Sequence, residues 1–183
     1  MQIIDTPLAG LKLIQPRVFG DSRGFFYESF NQQQFNQALG QEVIFVQDNH
    51  SLSSHGVLRG LHFQRAPHAQ GKLVRVVAGE VFDVAVDIRT ESDSFGRWHA
   101  ERLSADNKKQ LWIPPGFAHG FMVLSASAEF LYKTTDYWHP ESEATIRWDD
   151  PQIGIEWPDL PARTLSDKDQ AGACLAEACP RRK

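Results

Sequence analysis

The feature that most constrains this chain is a succession of short β-forming runs, each closed within a few residues by glycine, proline or another turn former. Strands are expected at 11–14, 24–30, 43–50, 56–64, 72–78, 81–88, 96–103, 110–113, 121–124, 129–135 and 144–148. Ala78-Gly79-Glu80 reads as a hairpin turn between two β-branched runs, and Pro114-Pro115-Gly116 as a break between strands. One helix is expected over 32–39, capped by Asn31 and ended by Gly40, with a second short one starting at Ser166. Many strands with few helices point to an all-β fold, closed or sandwiched, of the kind that holds one small ligand inside.

The chain has 183 residues, which favours one domain over 1–183 with a polar C-terminal tail from about residue 172. That length can bury roughly 70% of the unfolded surface without staples. A net charge of −4 and the lack of a long basic run argue against a nucleic-acid partner. No apolar run approaches membrane-spanning length, and the N-terminus lacks the pattern of a signal peptide. Cys174 and Cys179 are read as free thiols of a cytoplasmic protein.

The chemistry concentrates in Gly56-Val57-Leu58-Arg59-Gly60-Leu61-His62-Phe63-Gln64, followed by Gln70-Gly71-Lys72. If Leu58, Gly60, His62 and Gln64 share one strand face, His62 points where a core belongs, and a polar group there must be paired or working. Lys72 opens the next run and is expected beside His62 across a ladder. A histidine and a lysine together suit proton transfer on an anionic or enolate-forming substrate; a satisfied core histidine is the plain alternative. Pro114 to Gly116 deliver His119 onto a strand, where it is either a site residue or an exposed histidine after a rigid turn. Metal ligation by His62 and His119 is a weak reading, because a mononuclear site needs three or four protein ligands and no further histidine or glutamate adjoins His62.

Tyr132 alternates with Phe130 on one strand and is either an aromatic core residue or a second proton donor. In Leu165-Ser166-Asp167-Lys168-Asp169, an aspartate can orient a histidine or merely decorate a helix N-terminus. Arg23 and Arg59 suit phosphate oxygens, with Glu28, Gln47 and Asn49 in the same group. No glycine-rich phosphate loop or dinucleotide fingerprint is present, so side chains must hold any phosphate.

Taken in order, Arg17 to Phe26, Val46 to Ser51, Gly56 to Gln64, Gln70 to Lys72, Gly79 to Asp87, Trp112 to Phe121 and Tyr132 to Thr135 resemble the dTDP-4-dehydrorhamnose 3,5-epimerases of the cupin superfamily. The resemblance runs from about Pro16 to Asp169. It implies a jelly-roll barrel, a homodimer with exchanged N-terminal strands, no cofactor, no metal, and a dTDP-4-keto-6-deoxyhexose substrate inverted at C3 and C5 on the route to activated L-rhamnose. By position it makes His62 the base, Asp169 its orienting partner, Tyr132 the acid on the opposite face and Lys72 the enolate stabiliser. Arg23 and Arg59 would hold the diphosphate, Arg23 coming from a second subunit. Glu28, Gln47, Asn49, His119, Glu143 and Lys168 would line the nucleotide and sugar pocket. Asp83 or Asp87 is a candidate partner for His119. Tyr137-Trp138-His139-Pro140 falls where the family's aromatic residues vary. The alternatives are a mono-epimerase of a related dTDP-sugar, a cupin that only binds a nucleotide sugar, and a metal-dependent cupin oxygenase.

Overall fold

The computed structural model describes residues 1–161 and 163–181. The chain begins with the antiparallel pair β1 (Gln2–Asp5) and β2 (Lys12–Gln15), then forms a separate ribbon of β3 (Phe19–Asp21) and β4 (Gly24–Phe26). Helix α1 (Gln32–Leu39) forms as its sequence predicts: the Asn31 side chain accepts from the Gln34 amide, and Gly40 closes the helix at φ +72°. There follow β5 (Gln47–Ser54), β6 (Leu58–Gln64), β7 (Lys72–Ala78), β8 (Glu80–Asp87), β9 (Trp98–Ser104), β10 (Gln110–Ile113), β11 (Phe117–Val123) and β12 (Ser127–Thr134). A short 3-10 turn, Pro140–Ser142, leads into β13 (Glu143–Thr145), and the short helices α2 (Asp167–Gln170) and α3 (Leu175–Ala178) complete the elements.

The strands build two antiparallel sheets, in the orders β1-β2-β10-β7-β12-β5 and β13-β6-β11-β8-β9. Val74, Val76, Leu111 and Phe130 of the first meet Val81, Ala85, Leu103 and Phe121 of the second in the central core, giving the expected jelly-roll sandwich. Both sheets are also covered outside. Helix α1 places Phe35 against Trp112, edge to face at 5.5 Å between ring centroids. On the other side Leu61, Val84, Val86 and Ala118 pack beneath Ile146 and Leu175. This double coverage explains the continuous burial of Phe117–Val123, where a one-sided strand would alternate.

Three expectations change here. The segment from about residue 172 is not a loose polar tail: Leu175 and Ala178 of α3 are buried in the outer core. Gly79 does not close a hairpin, because β7 and β8 belong to different sheets; at φ +76° it carries the chain from one sheet to the other. The run at 24–30 is strand only through Phe26, and 43–46 docks beside α1 through Val43 and Phe45 before β5 starts.

The fourth change matters most for function. Leu58 does not share a face with His62. Opposite β11, three steps along β6 from Arg59 to His62 match only two from Phe121 to His119, which is a β-bulge. The bulge shifts the alternation by one residue, so Arg59 and His62 both point between the sheets while Leu61 and Phe63 pack outward. Gly60 permits this at φ +118°, where a Cβ would lie 2.5 Å from the Gly120 Cα and 2.7 Å from the His119 carbonyl oxygen.

Candidate active site

Between the sheets lies a cavity of about 470 Å³, within the range of small-molecule sites. His62 enters it from β6. The His62 Nε2 proton is held by Asp169 Oδ1 at 2.5 Å. Asp169 is 3% exposed, and α2 exists to present it: Ser166 caps the helix, accepting from the Asp169 amide at 3.2 Å and donating to Oδ2 at 2.8 Å. The Gly60 amide, within the bulge, donates to Oδ1 at 3.3 Å.

Burial pushes the His62 imidazole below its ordinary value; Asp169 opposes this, and the charges of Lys72 and Lys168 reinforce it. The ring is therefore neutral at pH 7. With its proton on Nε2, Nδ1 is the nitrogen that can accept another. Burial pushes the Asp169 carboxyl up, but the hydrogen bond and charge of His62 and the bonds from Ser166 and Gly60 outweigh it, so Asp169 is a carboxylate.

Lys72 approaches from the opposite sheet. It is not a ladder neighbour of His62; its Nζ reaches across the sandwich to the His62 carbonyl oxygen at 3.3 Å. That bond leaves two N–H groups for an occupant of the cavity. Burial lowers its pKa to about 8, with Asp83 and Glu143 opposing and Lys168 adding to the shift. Tyr132 stands on β12, which pairs with β7, so it too faces His62 from the far wall. Burial and the charge of Glu143 raise its phenol above the usual value, against the pull of Arg59, and keep it protonated at neutral pH.

Around these four, Gln47, Asn49, Arg59, His119, Glu143 and Lys168 line the same cavity. Arg59 is steadied by Ser53 at 3.0 Å, and Lys168 pairs with Glu143 at 2.5 Å. Gln47 donates to Asn49 at 3.0 Å, leaving the buried Asn49 Nδ2 without a hydrogen-bond partner among the described residues. His119 pairs with Asp83, at 2.9 Å and fully buried, rather than with Asp87, which binds Arg89 instead. The cavity therefore collects ten of the twelve residues singled out in the sequence, counting Asp169 behind His62.

Arg23 and Glu28 are the two it does not collect. Arg23 sits at the tip of the β3–β4 ribbon, 88% exposed and paired with Asp21. Glu28 accepts from Asn31 and Gln34 beside α1. Conversely, sequence reasoning gave Ser166 only the start of a helix, and gave no role to Ser53 or the lining residues Phe121 and Phe130. Ser166 had a signal, a serine three residues before an aspartate at a helix start; Ser53 had none. Trp138, whose role was open, lines the cavity.

The fold recurs in known proteins. The family model described as dTDP-4-dehydrorhamnose 3,5-epimerase matches residues 5–177. The enzyme of that name from Salmonella typhimurium is 59% identical over 178 residues, 97% of each chain, and that from Pseudomonas aeruginosa 63% identical over 166 residues, 91% of each. The crystal structure of dTDP-6-deoxy-D-glucose-3,5-epimerase from Legionella pneumophila, in complex with dTDP-4-keto-L-rhamnose, superposes with a TM-score of 0.94 at 55% identity, covering 100% of this chain and 98% of that one. A 3'-monoepimerase from Streptomyces bikiniensis in complex with dTDP-quinovose is more distant, with a TM-score of 0.88 at 33% identity over 94% of this chain and 88% of its own. The match runs through nearly the whole chain, at identities well above half in both curated relatives, and the chain belongs to the dTDP-4-dehydrorhamnose 3,5-epimerase family.

Proposed function

We infer that this chain catalyses the 3,5-epimerisation of dTDP-4-dehydro-6-deoxy-D-glucose to dTDP-4-dehydro-L-rhamnose in dTDP-L-rhamnose biosynthesis. What supports the residue roles is that His62 and Tyr132 enter one cavity from opposite sheets. C3 and C5 both flank the C4 ketone, so loss of either proton gives an enolate. His62 takes the proton on one face. Lys72 stabilises the charge that develops on the C4 oxygen, in a buried setting where a fixed cation acts most strongly. Tyr132 returns a proton from the opposite face, which inverts the carbon. Asp169 holds the imidazole in its Nε2–H form and stabilises the imidazolium that forms. Arg59, Gln47, Asn49, His119, Glu143 and Lys168 hold the nucleotide and sugar, positioning the small reacting ring through its large handle. The steps require only these protein groups.

The deciding experiment is proton NMR of the dTDP-4-keto-6-deoxyglucose substrate with the protein in D2O. Deuterium at both C3 and C5, with the product trapped by an L-specific reductase, is expected. Label at a single carbon would make the chain a mono-epimerase, as its Streptomyces bikiniensis relative is named. No label would leave only nucleotide-sugar binding. In Tyr132→Phe the inverted product should fall ~10²-fold while solvent exchange from the His62 face persists, since deprotonation does not need the phenol. Equal loss of both would remove Tyr132 from the acid role.

The working unit is proposed to be a homodimer with exchanged N-terminal strands. The β3–β4 ribbon exposes Phe19, Phe25 and Phe26 by 51%, 63% and 68%, and Ile44 and Leu52 are bare on the same chain. So much exposed apolar surface fits burial against a second copy. Such a docking would carry Arg23, and Glu28 behind it, toward the partner's cavity to complete the diphosphate site. Phe25→Glu with Phe26→Glu is expected to give a monomer by sedimentation equilibrium with a raised KM; an unchanged dimer would refute the ribbon's role. Among the described residues no helix is long and apolar enough to cross a membrane. The free state of Cys174 and Cys179 supports a reducing, cytoplasmic setting.

A further inference from the structure

Outside the catalytic group, a second set of ligating side chains lies behind the cavity-lining residues Gln64, Gln70 and Trp138. His68 lies on the loop between β6 and β7, and Asp136 and His139 on the segment between β12 and β13. Asp136 sits between the two histidines, with Oδ2 3.1 Å from His68 Nδ1 and Oδ1 4.0 Å from His139 Nε2. One donor atom from each of the three lies within 4.8 Å of the others. Ligands about 2.0–2.2 Å from a tetrahedral ion stand roughly 3.4 Å apart, so these spacings bracket what one ion requires. A carboxylate also stands near the far nitrogen of His139: Nδ1 is 3.6 Å from Glu141 Oε1, from where a small side-chain turn would form the hydrogen bond that orients metal-bound imidazoles.

We propose that His68, Asp136 and His139 bind one divalent transition-metal ion behind the lining of the active-site cavity, apart from the reacting groups. Two imidazoles and a carboxylate suit nickel, copper or zinc rather than magnesium or calcium. In the structure the two rings stack, 3.4 Å between centroids and 17° between planes. An ion lies in the plane of each ring that holds it, so loading the site splays the stack. Both side chains are about one-third exposed, at 33% and 29%, and have room to turn.

The consequence would be felt in the cavity lining. Tyr137 and Trp138 lie between two of the ligands, and Trp138 lines the cavity. The same segment is already tied to the β6–β7 side through Gln64, which donates to the Tyr137 carbonyl oxygen at 3.0 Å, and Gln70, which donates to that of Asp136 at 2.8 Å. A bound ion adds a stiffer link between the same two segments. It fixes Trp138 and acts on substrate KM, leaving the His62–Asp169 pair untouched.

The test uses the full chain, freed of metal, titrated with Ni²⁺ alone by calorimetry and by thermal unfolding. Nickel is the probe because soft thiolates such as Cys174 compete for it less than for zinc. One ion per chain with a raised Tm is expected. Binding should be lost in His68→Ala/His139→Ala, and Glu141→Gln should weaken it ~10-fold or more. Asp136→Asn, which keeps the side-chain volume, provides a second variant should the double one unfold. Nickel bound equally well by these variants, or bound only through His62 and abolished by His62→Asn, would overturn the proposal. So would a wild-type protein that takes up no ion.

Discussion

His62→Ala is expected to lower epimerase turnover by ~10²–10⁴-fold, the usual worth of a positioned general base, and to abolish deuterium exchange at both C3 and C5. Affinity for the dTDP moiety should change little, because Arg59, Gln47 and Asn49 line the cavity independently of the imidazole. The substitution leaves Asp169 buried without its main partner, a cost of about 1–3 kcal/mol, so lost activity alone could reflect lost structure. His62→Asn separates the two effects. Its amide can still donate toward Asp169 but cannot serve as a base, so the protein should fold and bind nucleotide while exchange stays absent. Asp169→Asn removes the charge that holds the Nε2–H tautomer and should slow both inversions together. A His62→Asn protein that still exchanged either proton at a rate near wild type would end the assignment.

These expectations rest on features that differed in how far sequence disclosed them. The β-forming runs were readable because burial on both faces of several strands leaves dense apolar segments between turn formers. The helix at Gln32–Leu39 was readable because its caps are local. Pairing was not: Gly79 looks like any hairpin glycine, and only the partners of β7 and β8, chosen far along the chain, place those strands in different sheets. The Gly60 bulge was hidden for a related reason. It is defined by the count of residues on the opposing strand, so simple alternation put Leu58 on the wrong face. His62 stood out as a polar residue in an apolar strand, yet its partner Asp169 is 107 positions away and ranked below a solvated helix end until the family resemblance singled it out. Arg23 and Glu28 carry the same resemblance but remain outside the cavity of a single chain. In the proposed dimer their place depends on a second copy, which no local pattern encodes.

Lys72→Met is expected to remove ~10²–10³-fold of activity and, unlike most core substitutions, to raise Tm. The two effects have one origin. Lys72 is only 8% exposed, and burial brings its pKa from 10.5 down to about 8. The folded protein therefore holds the ammonium less well than the unfolded chain does. Between about 8 and 10.5 the unfolded state binds the extra proton, so stability rises with pH across that window; below it the cost of the buried charge is fully present. A shift of this size corresponds to at most about 3 kcal/mol at neutral pH, reduced by the lost bond to the His62 carbonyl oxygen. Methionine fills the space without the charge, and a gain of a few degrees in Tm should follow. Activity moves the other way because the enolate oxygen loses its cation. In the wild type, kcat/KM should fall as pH rises through about 8, when Lys72 loses its proton; the variant should keep its low rate without that alkaline limb. Its acid limb should remain, since protonation of His62 still removes the base. A Lys72→Met protein with lower Tm and an unaltered alkaline limb would mean that the lysine serves the fold, and that another group carries the charge on C4.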